Sequence, residues 1–184
     1  MKFDIPSADR KALLALARES IATAFDSRQP EMPSLQDDIR CGAFVTLRID
    51  GNLRGCIGRM HSNDLLPITI AEMARAAAFE DPRFPPLSSD ELDRIEIEIT
   101  LLSPLRPVRP EEVQPGIHGI LISAYGRSGV LLPQVALEYG WDRETFLSQV
   151  CRKAGLPPDT WRSDAAQLYA FEGLVFSESV SEGA

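Results

Sequence analysis

Leu53-Arg54-Gly55-Cys56-Ile57-Gly58 sets a thiol two residues after an arginine, with a glycine on either side. An ionised thiol is a nucleophile or a metal ligand, and a nearby guanidinium favours the thiolate. Glycine removes the side-chain bulk that keeps a ligand off the backbone, so Gly55 and Gly58 read as positions of close ligand approach beside Cys56 and Arg54. On a regular strand residues 54 and 56 share a face, which lets the pair act on one small polar partner. A second reading stays open, because an unpaired cysteine also serves as a small apolar core residue.

Other residues can serve the same chemistry. His61 follows Cys56 by five positions and is a candidate general base for the thiol; His118 is the only other histidine. Asp81-Pro82-Arg83-Phe84 holds an acid and a cation across a proline of fixed geometry. Asp81 is thus a candidate for orientation or proton transfer, and Arg83 for anchoring an anion, unless the loop is a structural corner. Two histidines and three scattered cysteines compose no zinc pattern, since Cys-x4-His supplies half a site, so no metal ligand is assigned. No phosphate loop, dinucleotide fingerprint or nucleophile elbow occurs, and no cofactor is implied.

Bulk properties bound the rest. With 184 residues the chain fits one domain, or one domain in two lobes. A 44% hydrophobic and 25% charged composition is that of a soluble globular protein. No apolar run approaches the roughly 20 residues of a membrane span, and the start lacks a secretory pattern. Three widely spaced cysteines fit free thiols in a reducing compartment, so a cytoplasmic setting is expected. A net charge of -8 argues against nucleic-acid or membrane partners. Between Arg40 and Met60, however, Arg40, Arg48, Arg54 and Arg59 face only Asp50, a local excess that suits a small anionic ligand.

Periodicity predicts the elements that position these residues. Ser7 is expected to cap a helix through about Phe25, and a strand from Ala43 to Ile49 turns at Asp50-Gly51 into a second strand carrying the hexapeptide. Asp64 is expected to cap a largely buried helix from about Leu65 to Phe79. Ser89 is expected to cap a short helix leading into Ile95–Leu101, which alternates isoleucine and glutamate, the mark of a half-buried strand. After a proline-broken, irregular stretch from Pro104 to Pro115, a second hairpin around Gly126, a short helix after Pro133, a helix capped by Asp142 and a strand over 168–176 follow, with a frayed acidic tail from about Glu178. The expected fold class is α+β, a mainly antiparallel sheet with flanking helices.

Taken in order, Gly42-Ala43-Phe44-Val45-Thr46-Leu47, the hexapeptide, Asp81-Pro82-Arg83-Phe84, Gly129-Val130-Leu131-Leu132-Pro133-Gln134 and Cys151-Arg152-Lys153-Ala154-Gly155-Leu156 resemble the AMMECR-type domain family, named after the Alport syndrome and elliptocytosis chromosomal region. The resemblance covers almost the whole chain, and its arginine-glycine-cysteine-isoleucine-glycine core is the specific part. It implies one α+β domain of a larger and a smaller lobe, with the hexapeptide near a cleft between them, and a pathway shared with Memo-type and radical-SAM proteins. It supplies no defined reaction. Two functions follow as expectations: an enzyme or enzyme component built around Cys56, or a binding or adaptor protein in which the hexapeptide is structural.

Overall fold

The computed structural model describes residues 3–179. Two compact units divide the chain: one holds residues up to Leu102 together with those from Leu174 onward, the other Ser103–Gly173. Each has its own apolar core. Among the described residues, two strand pairs of the first unit and three of the second are antiparallel, and helices flank the strands, giving the expected α+β class. Among the described residues no helix is long and apolar enough to cross a membrane.

In the first unit, α1 (Ser7–Phe25) and α2 (Leu66–Phe79) cover one face of a sheet in which β2 (Asn52–Arg59), β1 (Ala43–Ile49) and β3 (Ile95–Leu102) lie side by side, followed by the end of β7 (Gln167–Ser177). The alternation of β3 explains the layering: Ile95, Ile97, Ile99 and Leu101 are buried, and the residues between them are half-buried. Val45 and Leu47 of β1 add to the same core, with Leu13, Leu16 and Ile21 of α1 and Leu66, Ile70 and Ala77 of α2. Each such leucine or isoleucine contributes roughly 1.5–3 kcal/mol on burial. Arg75 on α2 ties the helices together, donating to the carbonyls of Ser20 at 3.0 Å and Arg28 at 2.7 Å.

Asp50 and Gly51 both take positive φ, as a two-residue hairpin turn requires. Ile49 pairs with Asn52 and Arg48 with Leu53, but Leu47 then pairs with Gly55, so β2 carries one extra residue at Arg54. That slip turns Gly55 and Ile57 toward α2 and Cys56 to the opposite face. Gly55 is required there, since a Cβ would lie 2.1 Å from the Ala77 carbonyl oxygen of α2.

Three helix starts differ from expectation. α1 has Pro6 in the cap position, so Ser7 is its first residue and not its cap. α2 begins after Leu65 with Pro67 in its first turn and no side-chain cap; Asp64 instead lies 3.9 Å from Arg59. The short turn Ser89–Glu91 is closed by Ser88 and Glu91 rather than by Ser89. Glu178, expected in a frayed tail, accepts from Arg18 and from the Ile97 backbone at 2.7 and 2.9 Å. The rest of that tail, residues 180–184, lies outside the described residues.

In the second unit, β7 runs between β5 (His118–Ala124) and β4 (Arg106–Pro107), and β6 (Arg127–Leu131) flanks β5. α3 (Pro133–Tyr139) and α4 (Arg143–Lys153) follow, and Asp142 caps α4 as expected by accepting the Thr145 N–H at 2.8 Å. β4 and the turn Pro110–Glu112 fill a stretch expected to be irregular.

Replacing Gly55 by Ala is expected to destabilise the protein by about 3 kcal/mol, because α2 must move off the sheet to admit one methyl group. Urea unfolding measures this; an unchanged midpoint would mean that α2 is not seated on Gly55.

Candidate functional site

Cys56 stands on the edge strand β2, half-buried, on the face turned away from α1 and α2. Across the ladder it meets Thr46, whose hydroxyl donates to the sulfur at 3.2 Å. Two residues along β2 on that face, Gly58 lies under the ring of Phe44, which a Cβ would strike at 2.2 Å. Arg48, two residues along β1 from Thr46, shares the face and forms no ion pair among the described residues. Glu98 and Glu96 continue it on β3, opposite Thr46 and Arg48.

The backbone of Cys56 is held from the free edge of β2. Its N–H donates to Asp81 Oδ2 at 2.9 Å, so the outer edge of the strand is capped by a side chain instead of another strand. Asp81 also accepts from the Arg83 guanidinium, at 3.0 Å from Nε and 2.7 Å from Nη2, and from the Arg83 N–H at 3.1 Å. The Asp81 side chain is 2% exposed and that of Arg83 55%. The Arg83 hydrogen bonds hold the Asp81 carboxyl well below the usual carboxylate range, burial opposes them, and the Cys56 N–H adds to the effect. A carboxylate so held is a poor proton acceptor and a good clamp. Arg83 Nη2 also comes within 3.5 Å of the Cys56 carbonyl oxygen.

Four expectations need correction or refinement. Arg54 does not turn to the thiol: its Nε and Nη2 engage the Glu91 carboxylate at 2.8 and 3.0 Å. The extra residue in β2 breaks the two-residue alternation that was to put residues 54 and 56 on one face. Arg54 Nη1 is buried without a partner, which costs about 1–3 kcal/mol. His61 is exposed and bonds Asn63 at 3.0 Å, beyond the end of β2, so no contact brings it to Cys56. Gly55 serves the seating of α2, and Gly58 accommodates Phe44. The arginine excess between residues 40 and 60 is largely spent locally, Arg40 on the Asn63 carbonyl, Arg54 on Glu91 and Arg59 on Glu72. Cys56, Asp81 and Arg83 are the predicted residues that converge.

Thr46, Phe44 and Glu91 were not predicted as site residues, and Arg48 was singled out only as one of four arginines that could draw an anion. Only their membership of strands or of an acidic turn was visible, and the register decides the rest. The other two thiols stand apart from this chemistry: burial pushes Cys41 up to about 11, and Cys151 is also raised, chiefly by burial. His118 is buried, its Nδ1 accepting the Gln114 N–H at 3.1 Å, with its pKa lowered by desolvation and then by Arg106. Among the described residues no three His, Cys, Asp or Glu side chains gather as a metal site.

The AMMECR1 family model matches residues 14–176. A protein of Nanoarchaeum equitans is 41% identical over 180 residues, spanning 90% of this chain and 98% of its own. One of Methanothermobacter thermautotrophicus is 38% identical over 190 residues, spanning 97% and 99%. The crystal structure of an uncharacterised protein from Pyrococcus horikoshii is similar with a TM-score of 0.80 and 34% identity, covering 99% of this chain and 97% of that one.

The ion pair of Arg54 predicts an acid limit. Hydrogen bonds from Arg54, then from Ser88, lower the Glu91 carboxyl from 4.5 to about 2. A depressed folded-state value contributes stability that is complete above the ordinary pKa and is lost as pH falls through the depressed one. Unfolding free energy measured by denaturant is therefore expected to drop from pH 4.5 toward 2. Glu91→Gln should flatten part of that drop, and an unaltered slope in the variant would contradict the assignment.

Proposed function

The chain belongs to the AMMECR1 family, and from that premise and the geometry around Cys56 we propose that it is an enzyme or enzyme component whose thiol is the nucleophile or covalent carrier for a small anionic ligand. One observation carries the reading: a single buried carboxylate, Asp81, holds both the Cys56 N–H and the Arg83 guanidinium. The thiol and a half-exposed cation are thereby kept beside one another.

Roles follow from chemistry. Cys56 supplies the sulfur, and the thiolate forms when its S–H proton passes to solvent. The Thr46 hydroxyl, already donating to that sulfur, stabilises the negative form. Arg83 anchors the anion with the part of its guanidinium that faces solvent. Asp81 is a positioning residue. His61 and Arg54, engaged elsewhere, are left out. A reducing, cytoplasmic setting and a shared pathway with Memo-type and radical-SAM proteins belong to the same proposal, the latter on family resemblance alone.

The alternative, a binding or adaptor protein in which the hexapeptide is structural, is favoured by the packing duties of Gly55 and Gly58 and by the Arg54–Glu91 pair.

Alkylation separates the two. The thiol reading expects Cys56 to react with iodoacetate faster than free cysteine at the same pH, with a preference for iodoacetate over neutral iodoacetamide that falls about threefold or more in Arg83→Met, the effect of losing roughly one exposed charge interaction. A rate at or below that of free cysteine, with no dependence on reagent charge, would leave the adaptor reading.

A further inference from the structure

A groove of about 870 Å³ opens in the second unit. Three chain segments line it: 108–111 after β4, the first residues of α4 with their cap, and 161–168 leading into β7. Its floor is apolar, since Val108 and Leu168 are buried and joined by a backbone hydrogen bond of 3.0 Å, and Trp161 forms a wall. The volume lies within the range of ligand sites.

Charge at the rim is arranged unequally. Arg162 lies 4.2 Å over the Trp161 ring and pairs with Glu144 at 3.1 Å, which neutralises both. Arg109 pairs with Glu112 at 3.3 Å. Arg143 donates through Nε to the Val113 carbonyl at 2.8 Å. Against that one remaining cation stand Asp142, whose carboxylate caps α4, and Glu111 and Asp164, both exposed and in no ion pair among the described residues. The groove thus presents an aliphatic floor and an indole wall, with Arg162 over one face of the ring, under a rim of net negative charge.

We propose that this groove docks a segment of a partner protein in which cationic and apolar side chains alternate, its arginines or lysines meeting Glu111 and Asp164 and its apolar residues covering Trp161 and Leu168. An extended chain presents its side chains to alternate sides, so apolar residues can face the floor while cations reach the rim. Charge complementarity selects this occupant: an acidic segment would set like charges against the rim, and a wholly apolar one would strand three carboxylates.

The probe is a hexapeptide of alternating leucine and arginine, with alternating leucine and glutamate as the control. Trp161 emission is followed in a full-length Trp141→Phe protein, where it is the sole tryptophan signal. Saturable change with the basic peptide and none with the acidic one is expected. Glu111→Gln combined with Asp164→Asn should raise Kd about three- to tenfold, the worth of two exposed charge pairs. Glu138→Gln, an exposed acid on α3 outside the groove, should leave Kd unchanged. If Trp141→Phe fails to fold, the same titration on the native chain must lose its signal in Trp161→Phe. No saturable signal, equal binding of the acidic peptide, or equal loss in Glu138→Gln would overturn the proposal.

Discussion

One residue too many in β2 governs the site. A two-residue turn at Asp50-Gly51 carried on without interruption would set Leu47 opposite Arg54 and Val45 opposite Cys56, driving a guanidinium and a thiol into the apolar core beneath α2. The slip after Leu53 moves every later side chain to the other face. Gly55 and Ile57 go inward, and Cys56 goes out beside Thr46. The slip is sustained by packing: Gly55 lets the Ala77 carbonyl approach, and Ile57 joins the core. Arg54, the unpaired residue, finds its charge partner in Glu91.

The second constraint acts at the edge. β2 has no outer neighbour, and its exposed amide at Cys56 is met by Asp81 from the loop after α2. Because Asp81 also holds Arg83, the loop fixes a cation near the strand that carries the thiol. Cys41 and Cys151 are placed differently: both are buried, and burial disfavours their ionised forms. Fold and candidate chemistry thus meet in one short strand with helix packing on one side and an open edge on the other.

Much of this was legible in the residues themselves. Asp50-Gly51 announced a turn because both residues must take positive φ, and Ile95 to Leu101 announced a half-buried strand by strict alternation. Asp142 was a readable cap. The order of motifs identified the family, and Cys56, Asp81 and Arg83 were among the named site residues, together with Arg54 and His61, which bond elsewhere. Arg54 was misplaced because an alternation rule assumes a regular ladder, and a bulge is decided by what packs on the strand from elsewhere in the chain. Asp64 failed as a cap because Pro67 lets α2 start without one, while Asp64 lies near Arg59. Thr46 and Arg48 were invisible as neighbours of the thiol for the same reason as Arg54, since only the true register sets them on its face.

The register can be read directly by a cross-strand disulfide. Because the Cys56 N–H bonds Asp81, Thr46 and Cys56 form a pair without mutual hydrogen bonds, with Cα atoms about 4.5 Å apart, within reach of a disulfide. Mild oxidation of Thr46→Cys should close a bond between the introduced thiol and Cys56, seen as an internal cross-link by peptide mass mapping, while Val45→Cys should not. A cross-link from position 45 and none from position 46 would put Cys56 back in the core and contradict the account.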